Sequence, residues 1–92
     1  MLYALICIDK PNSEALRAET RQKHLDYLEG FREKIEIAGP VLSSDGATPK
    51  GSLIVMDLKD TGEVQDFVRG DPYGQAGLFA SVTAAPFKKV LP

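Results

Sequence analysis

The amino-acid sequence predicts an α+β domain whose strands and helices follow the order β-α-β-β-α-β. Three observations carry that prediction. The runs "LYALICI" and "LIVM" are apolar without alternation, as strands covered on both faces are. Two other segments repeat apolar residues at the helical period instead. Between these segments, proline, glycine and Asp-Gly clusters punctuate the chain.

The first strand spans Leu2 to Ile8 and is closed by "DKPNS", because Pro11 is excluded from a central strand while Asn12 or Ser13 suits a helix cap. A long helix is expected from about Ser13 to about Glu36. Leu16, Thr20, His24, Tyr27, Leu28, Phe31 and Ile35 fall on one of its faces, with Glu19, Gln22, Asp26, Glu29, Glu33 and Glu36 opposite. Gly30 weakens such a helix by roughly 1 kcal/mol relative to alanine, but the stripe continues past it. "AGP" (Ala38 to Pro40) then ends or interrupts the segment, and Val41–Leu42 opens a second strand.

The stretch "SSDGATPKG" is a loop by composition, with Asp45–Gly46 as its tight turn. Ser52 to Leu58 forms the third strand. Asp60 and Glu63 stand at capping-box spacing before a second helix, which carries Val64, Phe67 and Val68 on its apolar stripe and ends at Gly70. From Gly77, "GLFASVTAAPFKKVL" is a fourth strand, bent near Pro86.

This order is that of the ferredoxin-like split βαβ unit. Right-handed crossovers place both helices on one face of a four-stranded antiparallel sheet. Strands one and three are apolar on both sides, so the other face needs a cover, and a second copy packing sheet on sheet is the simplest one. The expectation is a homodimer with a pocket near the sheet–helix or subunit boundary.

Ninety-two residues make a single domain, 1–92, with one modest core. With 11 basic and 13 acidic residues the chain is slightly acidic, which argues against nucleic acid as a partner. The single cysteine, Cys7, excludes an internal disulfide and fits a reducing, cytoplasmic setting; within "LYALICI" it is a small buried hydrophobe rather than a nucleophile. That run is too short to span a membrane, is followed at once by Asp9 and Lys10, and lacks the marks of a signal peptide.

One histidine and one cysteine supply no metal-binding signature. No G-x-S-x-G elbow or phosphate loop is present, and "GDPYGQAG" does not follow a strand and open a helix. Neither a metal nor a cofactor is expected.

What remains is His24 on the buried face of the first helix, and Asp71 in "VRGDPYGQAGLF" after the second. Both helices lie on the same sheet face, so the two side chains are within geometric reach of each other. A carboxylate bonded to one imidazole nitrogen fixes the tautomer and frees the other nitrogen as a base. Tyr73 offers a phenol beside them. The bland reading is a buried histidine kept satisfied by Asp71. Asp45 and Ser52 are lesser candidates for substrate contact, first read as a turn residue and a strand-start residue, and Ser44 ranks with Ser52. Arg17 and Arg21, on the edge of the stripe, are placed to bind a carboxylate-bearing ligand, though solvated helix charges are the safer reading.

Taken together, "RQKHLDYL", "AGPVLSSDG", "GSLIV" and "DPYGQAGLFASVTAAPF" resemble the YciI-like (YCII-related) family across nearly the whole chain. The resemblance implies a small ferredoxin-like domain of the dimeric α/β-barrel type, with His24 and Asp71 matching the family's proposed catalytic pair. It implies cofactor-free proton abstraction. Dehydrochlorination of a chlorinated hydroxyquinol-type aromatic is one activity in the family, although nothing in this chain selects a chlorinated ring. Ser43–Ser44 stand where more acidic residues often precede the Asp-Gly turn, which bears on ligand preference. The leading expectation is an acid–base lyase or isomerase acting on a small cyclic or carbonyl metabolite. A non-catalytic dimeric module that binds a small ligand or partner is the alternative, and a purely structural His24–Asp71 contact is the third.

Overall fold

The computed structural model describes all of residues 1–92. Strands β1 (Leu2–Asp9), β2 (Ile35–Leu42), β3 (Pro49–Asp57) and β4 (Phe79–Phe87) form one antiparallel sheet in the order β2-β3-β1-β4. Helices α1 (Glu14–Glu29) and α2 (Thr61–Gly70) are the crossovers, and a short helix α3 (Pro72–Gln75) precedes β4. This is the ferredoxin-like βαββαβ arrangement with one helix added.

Strand register decides which side chains meet. Tyr3, Leu5 and Cys7 of β1 stand opposite Met56, Ile54 and Ser52 of β3, and all six are buried on the helix-covered face. Val64 and Phe67 of α2 complete the core, with Tyr27, Leu28, Phe31 and Ile35 packed at its rim. On the opposite face Ile6 and Ile8 are each 42% exposed, Phe87 45% and Ile37 56%. The helices therefore cover one side of the sheet only. No helix is long and apolar enough to cross a membrane.

Helix α1 stops at Glu29 rather than near Glu36. After Gly30 the chain makes one 3-10 turn, Arg32–Lys34, and β2 begins at Ile35. The β-branched residues Ile35, Ile37 and Val41 favour a strand, and pairing with β3 from Met56 to Pro49 outweighs continuation of the helix. Phe31 and Ile35 still reach the core, one from the turn and one from the strand, which is why a helical count through them looks unbroken.

"AGP" consequently lies inside β2 instead of before it, with Pro40 opposite Ser52. β2 is an edge strand, where a residue without an N–H is tolerated. β4 likewise runs in register through Pro86, opposite Tyr3, and its irregularity lies at the other end, where the register shifts between Ile8 and Asp9. β3 starts at Pro49, earlier than expected. The β2–β3 turn does fall at Asp45–Gly46, where Gly46 takes a φ of 76°, and Asp60 Oδ1 accepts the Glu63 N–H at 2.9 Å to start α2.

Candidate active site

The end of α2 is set by a close approach. Tyr27 of α1 donates its hydroxyl to the carbonyl of Phe67 at 2.8 Å. Its ring lies so near Gly70 that a Cβ there would overlap it. Only glycine lets α1 come this close to the last turn of α2. The next residue, Asp71, precedes a proline, which disfavours the helical region and pushes it to extended backbone; its φ and ψ are −67° and 121°. The chain turns out of α2, and Pro72 restarts it as α3, a position where its missing N–H costs nothing.

Asp71 is thereby held between helices. Its Oδ1 caps α3 by accepting the Tyr73 N–H at 3.0 Å, and also meets His24 Nδ1 at 2.8 Å. Both side chains are buried, 7% exposed for His24 and 4% for Asp71. The Tyr73 ring stacks on the imidazole, with centroids 4.1 Å apart and planes inclined by 20°. Nε2 of His24 makes no hydrogen bond, yet no sealed side-chain nitrogen or oxygen in the protein lacks a partner. That second nitrogen is therefore reached by solvent.

A second buried pair lies two turns away on α1. Arg17 Nε donates to Asp9 Oδ2 at 2.7 Å, and its Nη2 donates to Asp9 Oδ1 at 3.0 Å and to Ser52 Oγ at 2.9 Å. The guanidinium carbon also sits 4.5 Å from the centre of the Tyr73 ring. Burial works against the charge on Arg17, but the hydrogen bond and charge of Asp9 more than offset it, and the group is held more firmly protonated than usual. Burial pushes the Tyr73 phenol up, while the positive charges of Arg17 and Arg21 oppose part of the rise.

These side chains open onto a cavity of about 250 Å³ between α1 and the β2–β3 side of the sheet. Arg17, Arg21, His24, Ser52 and Tyr73 line it, with Leu25, Leu28, Pro40 and Ile54 among its apolar walls. Its size is below the roughly 300–1,000 Å³ of drug-sized sites, which suits a single ring or a short chain. No group of three His, Cys, Asp or Glu side chains gathers as a metal site.

Of the candidates named from the sequence, the structure thus brings together His24, Asp71, Tyr73, Ser52, Arg17 and Arg21. Asp45 lies apart, in the β2–β3 turn, where its Oδ1 accepts the Ser43 hydroxyl at 2.6 Å and the Ala47 N–H at 3.0 Å; those bonds hold its carboxyl below the usual range. Ser44 is exposed in the same turn. Arg17 is not a solvated helix charge, being only 6% exposed. Asp9, the last residue of β1, is what makes that burial possible. A signal was present, since positions 17, 20 and 24 share one helix face.

Fold and site together define a class: a ferredoxin-like α+β domain with a carboxylate-bound imidazole facing a small cavity. The model of the YCII-related domain family matches residues 1–88, and the chain belongs to that family. It is 31% identical to Protein YciI of Escherichia coli and 31% identical to an uncharacterised protein of Haemophilus influenzae, in each case over 98% of this chain and 99% of the relative. Among solved structures it is similar to the 5-chloro-2-hydroxyhydroquinone dehydrochlorinase TftG from Burkholderia phenoliruptrix, in complex with 2,5-dihydroxybenzoquinone. That match has 35% identity, a TM-score of 0.89, and covers 96% of this chain and 94% of the other. A likeness to Rv0793 of Mycobacterium tuberculosis, at 16% identity and a TM-score of 0.55, extends to the fold alone.

Proposed function

We propose that the protein is a cofactor-independent acid–base enzyme, a lyase or isomerase, acting on a small cyclic or carbonyl-containing metabolite in the manner of a dehydrochlorinase. The observation that supports this is the 2.8 Å contact between His24 Nδ1 and Asp71 Oδ1 beside a second ring nitrogen that solvent reaches. With Nδ1–H donated to the carboxylate, Nε2 carries the lone pair and is the base. It accepts a proton from an acidic C–H or O–H of the substrate. The electron pair left behind then expels a leaving group or shifts a double bond, and the imidazolium returns its proton to solvent or product. Asp71 stabilises that imidazolium, the Tyr73 ring fixes the plane of the base, and Ser52 is the further polar group at the wall. The likeness to a dehydrochlorinase makes elimination of chloride the first reaction to try.

In this reading the working unit is a cytoplasmic homodimer. The exposed apolar residues Ile6, Ile8, Ile37 and Phe87 on the uncovered sheet face support the pairing, and the single free cysteine suits a reducing compartment. Sedimentation at several protein concentrations checks it, with Ile6→Lys expected to give monomers.

The test of the reaction is chloride release from 5-chloro-2-hydroxyhydroquinone by the wild-type protein, by His24→Gln and by Asp71→Asn. Release by the wild type that both variants lose supports the reading. Release that survives His24→Gln sinks it, and a protein that binds the ring without releasing chloride is a binding module instead.

A further inference from the structure

Charge is matched everywhere around the cavity except at one residue. Asp9 is taken up by Arg17 through two bonds, and Asp71 by His24. Glu14, the one carboxylate lining the cavity, is held by Lys50 at 2.9 Å. Arg21 lines the same cavity, is exposed, and makes no hydrogen bond or ion pair. It stands one turn beyond Arg17 and one turn before His24 on the same side of α1. The positive charges of Arg17 and Arg21 both bear on the Tyr73 phenol, which lines the same cavity. An unpaired guanidinium offers two parallel donors to a carboxylate-like pair of oxygens.

We propose that the cavity recognises its ligand as an anion, a small ring or chain bearing an ionised acidic hydroxyl or carboxylate, and that Arg21 is the residue that selects it. The inference rests on the reading of this cavity as the substrate site and adds the substrate's charge. The ionised oxygen sits at Arg21, and the rest of the molecule extends toward Nε2 of His24. Because Asp9 already neutralises Arg17, that residue positions Tyr73 and Ser52 without being the primary anion contact. Neutral rings of equal size meet the same apolar walls but offer Arg21 no charge to pair with.

The probe is 2,5-dihydroxybenzoquinone, in which each hydroxyl is conjugated to a carbonyl and is ionised at neutral pH. Hydroquinone is the neutral ring of similar size. Calorimetric titration measures both against the wild type, Arg21→Gln and Arg21→Lys, while NMR follows the ring of the only histidine. The expected result is anion binding at least about tenfold tighter than hydroquinone binding, with the His24 ring signals moving as the site fills. Arg21→Gln weakens the anion on the order of tenfold and flattens its salt dependence, and Arg21→Lys restores part of both.

Equal affinity for the two rings, or unaltered anion binding in Arg21→Gln, overturns the inference; if His24 still responds, the cavity remains the site and only its selectivity was misjudged. Binding that leaves His24 unmoved overturns the inference and the site together. Failure of the anion to bind at all also overturns it, and chloride release then judges the enzyme reading separately.

Discussion

Two buried hydrogen-bonded pairs flank the Tyr73 ring, and they differ in what each has left to give. In Arg17–Asp9 both carboxylate oxygens accept from the guanidinium, which also reaches Ser52. Arginine keeps its charge at any ordinary pH, so this pair is an anchor. His24–Asp71 is open at one end, because the imidazole has one nitrogen bound and one in contact with solvent. Both pairs are equally buried. Burial therefore does not distinguish the two pairs, whereas the imidazole's capacity to take up and give back a proton does.

The largest expected effect breaks the comparison outright. On the proposed reading, Asp71→Asn and His24→Gln should each lower turnover of a chlorinated hydroxyquinol by about 10²–10⁴-fold, the usual weight of a positioned base. A loss that only tracks the folded fraction would make the two pairs equivalent anchors. Stability is the next contrast. Asp9→Ala strips the partner from a buried guanidinium and should cost roughly 3–5 kcal/mol in urea unfolding. Asp71→Asn should cost nearer 1 kcal/mol, because a neutral imidazole can stay buried where a guanidinium cannot. Equal costs would mean that His24 is carried as a fixed cation.

The geometry that places Asp71 gives a smaller effect. Gly70→Ala drives a methyl group into the Tyr27 ring and should cost about 1–3 kcal/mol. Gly39→Ala, where a Cβ meets nothing within 4 Å, should stay within about 0.5 kcal/mol of the wild type. Thermal melts of the two variants check the contrast.

The smallest effect concerns Cys7, beside both pairs. Burial first, and then the negative charge of Asp71, push its thiol from 9.0 up to about 12. The folded chain should resist iodoacetamide at pH 8, where the urea-unfolded chain reacts. Between pH 9.0 and about 12 the unfolded chain binds fewer protons than the folded one, so stability falls as pH rises through that window. The contribution is whole below it. Rapid labelling of the folded protein would show that the thiol is not sealed.

How much of this was legible follows from the same physics. His24 and Asp71 could be singled out because one is the only histidine and the other sits between a helix-ending glycine and a proline. β1 and β3 declared themselves as unbroken apolar runs. β2 did not, because "IEIAGPVL" follows a helical stripe and carries a Gly-Pro pair that only an edge strand accepts, and edge position is a property of the sheet. Helix α3 escaped because "PYGQ" is too short for any period, although Asp71–Pro72 is a sound helix start. Arg17 was misread because arginine is rarely buried, and its partner Asp9 becomes near only once β1 and α1 are folded together.

The placement of two prolines has a consequence for how the protein behaves in a crowd. Pro40 lies in β2 and Pro86 in β4, the two outermost strands. Each ring removes a donor and adds bulk along an edge that would otherwise be a template for another chain's strand. Ribbon-like extension of the sheet, the route by which exposed edges seed aggregates, is obstructed on both flanks. The exposed apolar residues lie instead on the broad face of the sheet, across the strands rather than along an edge.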